Sequence, residues 1–313
     1  MLVVLASPRL GDVSKHLLRW LLLSILAAAS HAFGQSRLAG VIDLHAHCDP
    51  DSVPRSIDAI DLARLARQRE MRGLVFKNHF APTAAVASLV RKEVPGLEVF
   101  GGIVLNRSVG GINPLAVERM AQVTGGWGRV VWLPTFDAEN QVRFWKTNAP
   151  FVAVVKNGRL LPEVLEVLDT AAKYNLLLET GHSSAEECLL IVREARRRGV
   201  RHVVVTHAMI PPVAMTVAQM QSAASEGALL EFVYGAVLGK NPQAHIGDYA
   251  RAIRTVGPQA CILSSDLGQP GNPLHPDGLE AFFDALLKEG FTQADIDIMA
   301  KTNPARVLGL PEL

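Results

Sequence analysis

The sequence predicts an α/β fold, a TIM-type (β/α)8 barrel with parallel strands preceded by a signal peptide, and three observations carry that expectation. Eight short Val/Ile/Leu-rich runs alternate with longer amphipathic stretches, the pattern of β/α units around a sheet buried on both faces. The run ends recur at nearly even spacing, close to the ~31 residues expected when about 250 residues are shared among eight units. No Gly-x-Gly-x-x-Gly follows the first run, which argues against an open dinucleotide-binding sheet.

The N-terminal stretch is set apart first. Lys15 and Arg19 precede an apolar run, Trp20 to Ala29, and Ser30-His31-Ala32 follows with small residues at the positions that define cleavage. This reads as a secretory signal covering residues 1 to 32, leaving residues 33 to 313 as one barrel domain in the periplasm or secreted beyond it. The run is about half the ~20 residues a spanning helix needs, so no membrane association is expected after cleavage.

Strands are predicted at Val41 to His47, Leu74 to His79, Val99 to Asn106, Val130 to Thr135, Leu176 to His182, His202 to His207, Ala228 to Tyr234 and Cys261 to Asp266. Helix starts fall at Asn113-Pro114, at Pro162, at Ser184 with Glu187 as a capping box, at Pro211-Pro212, and at Thr292 with Asp295. Gly73, Gly125-Gly126, Gly199, Gly227 and Gly290 close helices or precede the next strand, as C-terminal caps do. The interval after Thr135 is the long one. It holds an extended segment, Phe151 to Lys156, and an Asn157-Gly158 turn pair, read as a small excursion between strand four and its helix.

Composition fits one large buried core, with 49% hydrophobic and 19% charged residues. A formal net charge of +1, no basic stripe and 6% aromatics argue against nucleic acid as a partner. The three cysteines, Cys48, Cys188 and Cys261, are too few for a disulfide framework and read as small buried side chains.

In a β/α barrel the active site lies at the C-terminal strand ends, so polar groups that end apolar strands are the candidates. His45 and His47 end strand one, Lys77 and His79 strand two, His182 strand five, His207 strand six, and Asp266 strand eight. Residues i and i+2 of a strand share a face, so His45 and His47 are expected to point together into the barrel mouth, with Asp43 in the same phase one layer lower. A His-x-His pair alone is a weak metal signal. Joined by His182, His207 and Asp266 at other strand ends, it becomes a strong one.

These residues, His45-Ala46-His47 on strand one, His182, His207 and Asp266, resemble the ligand set of the amidohydrolase superfamily. Thr302-Asn303-Pro304-Ala305-Arg306 near the end of the chain is similar to the Asn-Pro-Ala-Arg segment of many members. The resemblance implies a divalent metal, most often zinc, held by His45, His47, His182, His207 and Asp266. That metal polarises the scissile carbonyl and lowers the pKa of a bound water, with Asp266 as the catalytic proton acceptor. Two-metal members bridge their ions with a carboxylated lysine or a glutamate on strand three or four, and strand four here offers neither. Lys77 and Lys156 are the available lysines, and Glu179 and Glu231 lie on strands five and seven. One tightly held metal is therefore favoured over two, with Lys77 and His79 as substrate or second-metal residues.

Loop residues at the same end, Asn78, Asn106 with Gly110-Gly111 and Asn113, and Gly268 to His275, are candidates for substrate contact, Asn78 and His275 foremost. The leading expectation is a metal-dependent hydrolase that cleaves an amide, lactam, lactone or ester of a small molecule. A decarboxylase on the same barrel would release carbon dioxide and put no solvent oxygen into product. A non-catalytic metal- or ligand-binding barrel would not need Asp266. No glycine-rich cradle or arginine pair favours a phosphate. Barrels of this class often associate, so a homo-oligomer is compatible with the sequence.

Overall fold

The computed structural model describes residues 36 to 311, so the expected signal peptide and its cleavage point lie outside the described residues. Eight strands form one sheet in chain order: β1 Ile42–Ala46, β2 Gly73–Phe76, β3 Glu98–Val104, β4 Gly128–Trp132, β5 Leu177–Glu179, β6 His202–Val205, β7 Leu229–Val233 and β8 Cys261–Ser264. Every neighbouring pair from β1 to β8 is parallel. The ring closes where Asp266 N–H donates to the His45 carbonyl at 2.9 Å and His47 N–H donates to the Leu267 carbonyl at 3.0 Å. The barrel and all of its eight expected strands are therefore present.

Helices α1 Ala59–Gln68, α2 Ala84–Glu93, α3 Pro114–Ala121, α4 Glu139–Phe144, α5 Pro162–Lys173, α6 Ala185–Arg197, α7 Val217–Ser225, α8 Ile246–Val256 and α9 His275–Lys288 alternate with the strands. Apart from the short α4, which buries only Gln141 and Val142, they pack apolar residues against the barrel; α6 buries Cys188, Ile191, Val192 and Ala195 at the three- and four-residue spacing of one helix face. The capping box of Ser184 with Glu187 forms as expected, and Asn113 caps α3. The helix expected at Pro211-Pro212 begins later, at Val217, because Thr216 and Gln219 supply the reciprocal cap. Gly73 is not a helix cap either. It opens β2, where an added Cβ would sit 2.5 Å from the Glu98 carbonyl oxygen, so the glycine serves close strand approach.

The excursion after β4 is α4 followed by a hairpin, Val155–Lys156 against Arg159–Leu160, turned by Asn157 and Gly158 with φ of 52° and 73°. Two consecutive positive φ values are what the Asn-Gly pair supplies at least cost. Among the described residues no helix is long and apolar enough to cross a membrane. Cys48, Cys188 and Cys261 are free and buried, as expected.

The barrel interior is filled by Ile42, Leu44, Val75, Val130, Trp132 and their neighbours, and Ala305, Val307 and Leu308 join the same cluster. Ala305 and Val307 belong to α11, Asn303–Val307, and Leu308 is its C-terminal cap; α11 follows α10, Gln293–Asp297. The Asn-Pro-Ala-Arg segment thus plugs the end of the barrel where the strands begin. Asn303, 2% exposed, donates its side-chain amide to the carbonyls of Pro258, Gln259 and Cys261 at 3.1, 3.2 and 2.7 Å. Replacing Asn303 with alanine orphans those carbonyls and is expected to lower stability by about 2 kcal/mol. Urea denaturation checks this, and a loss below about 0.5 kcal/mol, the range of a neutral surface change, contradicts it.

Candidate active site

Apart from His45, which lies within β1, the functional side chains at the strand ends stand one to three residues beyond the ladders, where the chain turns out toward the loops. On β1 the alternation is reset on the way: one extra residue lies between the Asp43–Leu74 and Ala46–Phe76 pairs, a β-bulge. Ile42 and Leu44 face the barrel interior below the bulge, while His45 and His47 reach the site above it. Asp43 consequently does not share the phase of the two histidines. Its carboxylate accepts from the backbone N–H groups of His45 at 3.1 Å and Ser265 at 2.9 Å, pinning the bulge to β8.

Five imidazoles form an arc across the mouth. Ring centroids lie 4.9 Å apart from His79 to His47, 5.2 Å to His45, 5.2 Å to His207 and 5.1 Å to His182. Asp266 sits inside the arc, with Oδ1 at 3.1 Å from His47 Nε2 and 3.2 Å from His45 Nε2, and Oδ2 at 3.8 Å from His207 Nε2. One ligand atom each from His45, His207 and Asp266 lies within 4.8 Å of the others. His47 and His182 flank this trio, so all five expected ligands are brought together.

The outer ring nitrogens are held from behind. His45 Nδ1 lies 3.2 Å from both Glu231 oxygens, His182 Nδ1 is 2.6 Å from Gln141 Oε1, and His79 Nδ1 is 2.9 Å from Thr135 Oγ1. Glu231 also accepts from the His207 backbone N–H at 3.2 Å. Such partners fix the rings and direct the opposite nitrogen of His45 and His182 at the centre, as behind metal-bound histidines. The His182 Nε2 so presented is buried and has no hydrogen-bond partner, as is His47 Nδ1. His207 and Asp266 take φ of 35° and 49°, in the left-handed region that costs non-glycine residues energy and recurs at functional sites. Gly268, φ 120°, lets the β8 loop ride on β1, since a Cβ there would meet the His47 carbonyl oxygen at 2.1 Å.

Beneath the arc the charges are buried. Lys77 Nζ lies 2.8 Å from His45 Nε2 and 5.5 Å from the Trp132 ring centroid, with the side chain fully buried. Burial pushes the Lys77 pKa down, opposed by Asp266, Glu179 and Glu231. Burial, reinforced by Glu231, pushes the Glu179 carboxyl well up, with Lys77 opposing. His45, His47, His79, His182 and His207 are all held well below the usual imidazole value, in each case first by burial. The rings are therefore neutral near pH 7, the form that binds a metal. Three carboxyls, Asp266, Glu179 and Glu231, surround one lysine, so the pocket carries an excess of acid that a divalent cation offsets. The donor set and the unpartnered nitrogens fit such an ion.

A cavity of about 670 Å³ opens above this floor, and His47, His79, His182, His207 and Asp266 line it. His45 and Lys77 lie below it, 0% exposed. Two expected contacts fall elsewhere. Asn78 donates its amide to the carbonyls of Cys48 at 3.3 Å and Pro50 at 2.9 Å, and so braces the β1 loop rather than facing a substrate. His275 is 0% exposed at the start of α9, packed near Asp43 and outside the cavity wall. Asn106 ties Thr135 to the His79 carbonyl, Gly110 and Gly111 line a separate hollow, and Lys156 is exposed on the hairpin. Sequence reasoning missed Arg55, Gln141 and the aromatic wall of Phe136, Phe144 and Trp145. Their only sequence signal is position in the segments that follow β1 and β4, Gln141 and Phe144 on the short α4.

The depressed histidines set a pH dependence. An imidazole whose folded pKa lies below its unfolded value of about 6.5 is protonated more readily in the unfolded chain, so its neutral burial is fully tolerated above that pH and opposes folding below it. Asp43, Glu179 and Glu187, raised by burial, act the other way, but they are three groups against seven histidines, since burial lowers His202 and His275 as well. Chelator-treated protein is therefore expected to lose stability as pH falls from about 6.5 toward 5, by up to about 1.4 kcal/mol per pH unit for each net proton taken up. Thermal melts across that range check it, and a flat profile contradicts it.

No curated protein matches the chain. Solved structures match its fold. The phosphotriesterase homology protein from Escherichia coli, complexed with phosphate in its active site, gives a TM-score of 0.58 at 18% identity, covering 87% of this chain and 99% of that one. Organophosphorus hydrolase from Deinococcus radiodurans gives 0.59 at 14% identity, covering 88% and 94%. An amidohydrolase from Pseudomonas aeruginosa gives 0.60 at 13%, covering 88% and 97%. At these identities the likeness is one of fold, and it is the fold that the resemblance in the sequence implied. A family model matches residues 40–231, a span that runs from β1 into β7 and holds His45, His47, His182 and His207. The chain belongs to that family, described as a family of unknown function, DUF6282.

Proposed function

We propose that this protein is a metal-dependent hydrolase of the amidohydrolase type, acting on an amide, lactam, lactone or ester of a small molecule. The observation that carries the reading is the convergence of His45, His207 and Asp266 within 4.8 Å at the C-terminal mouth of a parallel barrel, flanked by His47 and His182. The solved proteins of like fold, among them organophosphorus hydrolases and one engineered from a promiscuous lactonase template, support it. A cavity of about 670 Å³ suits a small-molecule substrate.

His45, His47, His182, His207 and Asp266 would hold the ion, zinc being the reading that suits a set of imidazoles and one carboxylate. One ion is favoured, because among the described residues a single trio of ligands lies so close. Such a metal supplies Lewis acidity toward a carbonyl and a lowered pKa for water. The remaining chemistry belongs to the chain. Asp266, with its side chain 21% exposed, touches both the ligands and the cavity, so it can accept a proton from water and return it to the leaving group. Glu231 and Gln141 keep His45 and His182 in the tautomers that present a lone pair. Lys77 stands at the nitrogen that His45 offers, so binding a cation there requires the ammonium to lose its proton or withdraw. Export to the periplasm or beyond is part of the same proposal and rests on residues 1 to 32.

The test is metal content by mass spectrometry of chelator-free protein beside His45→Asn/His47→Asn and His182→Asn/His207→Asn variants. About one ion per chain in the parent and near none in either variant is expected, followed by incorporation of labelled solvent oxygen into the product of an ester or lactone screen. No metal in a folded parent overturns the reading.

A further inference from the structure

The cavity has two chemically different walls, and the order of strands explains why. Because β8 closes on β1, the loops after β7, β8 and β1 are neighbours, and they contribute Gln243, Gln269, Asn272 and Arg55. The segment after β4, loop and α4 together, supplies Phe136, Phe144 and Trp145, and the loop after β6 supplies Ile210. Phe136 stacks on His79 with centroids 4.0 Å apart and lies 5.6 Å from Trp145, so an aromatic surface runs from the imidazole arc to the rim. Phe144 and Trp145 remain 53% and 49% exposed, an apolar area that a substrate could cover.

Arg55 is the one lysine or arginine among the residues that line this cavity, and its side chain is 5% exposed. Asp51, itself 0% exposed, holds one edge of the guanidinium, at 2.8 Å from Nε and 2.6 Å from Nη2. Only Nε makes a hydrogen bond to Asp51; Nη2, close as it lies to the same oxygen, is buried without one, and no hydrogen bond from Nη1 to protein is formed among the described residues. A guanidinium fixed on one edge and open on the other is preorganised to receive an anion. Its charge also reaches the arc: after burial, Arg55 is the largest influence holding His47 down.

We infer that the site takes a carboxylate-bearing substrate, with Arg55 binding the carboxylate, the Phe136, Phe144 and Trp145 wall covering an apolar end, and the reacting group lying between them over His207 and Asp266. With Asp51 beside it the arginine carries little net charge, so a singly charged carboxylate suits it better than a phosphate dianion. The placing of the reacting group rests on the hydrolase reading; the recognition of the carboxylate does not.

Titration calorimetry of the full chain with phenylbutyrate and its neutral isostere phenylbutyramide tests the assignment. The parent is expected to bind the acid at least about tenfold more tightly than the amide. In Arg55→Met that preference is expected to vanish, a loss of about tenfold or more, the scale of a lost hydrogen bond to a charged group. Because Arg55→Met leaves the Asp51 side chain without a counter-charge and with only the Ser52 backbone N–H to accept from, the pair Asp51→Asn/Arg55→Gln removes both charges together and is expected to behave the same way. Trp145→Ala is expected to weaken both probes alike. Equal binding of acid and amide by the parent, no binding of either, or a preference that survives in both arginine variants overturns the assignment. Binding is read without turnover, so a parent that discriminates through Arg55 but cleaves nothing would sink the hydrolase reading and leave this one standing.

Discussion

The site depends on the seam between the first and last strands. Two backbone hydrogen bonds, Asp266 N–H to the His45 carbonyl and His47 N–H to the Leu267 carbonyl, close the barrel. The same bonds carry the carboxylate of one strand into contact with the two imidazoles of the other. Barrel closure and site assembly are thus one event. The β1 bulge, clamped by Asp43 to Ser265, aims the histidines, and the positive φ of Asp266 aims the acid. That conformation is costly in an isolated chain, and the surrounding ladder holds it in place.

A second constraint follows from burial. The barrel mouth keeps His45, Lys77, Glu179 and Glu231 fully out of solvent, where ionised groups without partners are expensive. The pocket answers with neutral imidazoles, a raised Glu179 and a depressed Lys77. Yet the His182 Nε2 and His47 Nδ1 atoms are left without hydrogen-bond partners. Unsatisfied buried nitrogens beside excess acid are a poor arrangement for stability and a good one for holding a cation. The opposite end of the barrel shows what this chain does where only stability matters: α11 fills it with apolar side chains and satisfies the strand-entry carbonyls through Asn303.

The loops divide the remaining work. Those beside the seam are polar and include an arginine anchored by a buried aspartate, whereas the excursion after β4 brings aromatic side chains to the far rim and Gln141 behind His182. The insertion that lengthens the fourth unit is therefore part of the site, supplying both a wall and a partner for a candidate ligand.

The sequence by itself determined the barrel, because short continuous apolar runs, glycine caps and side-chain capping boxes are local signals that packing only had to agree with. It also determined which residues end the strands, and hence the cluster of His45, His47, His182, His207 and Asp266. Only the tertiary structure decided which way Asp43 faces, since a bulge depends on pairing with a second strand. Only it removed Asn78 and His275 from the cavity, because an amide spent on backbone carbonyls and a histidine buried under a helix read in sequence like any polar loop residue. Arg55 and the aromatic wall were illegible for the same reason. A loop carries no periodicity, so what its side chains meet is fixed by contacts between residues far apart in the chain.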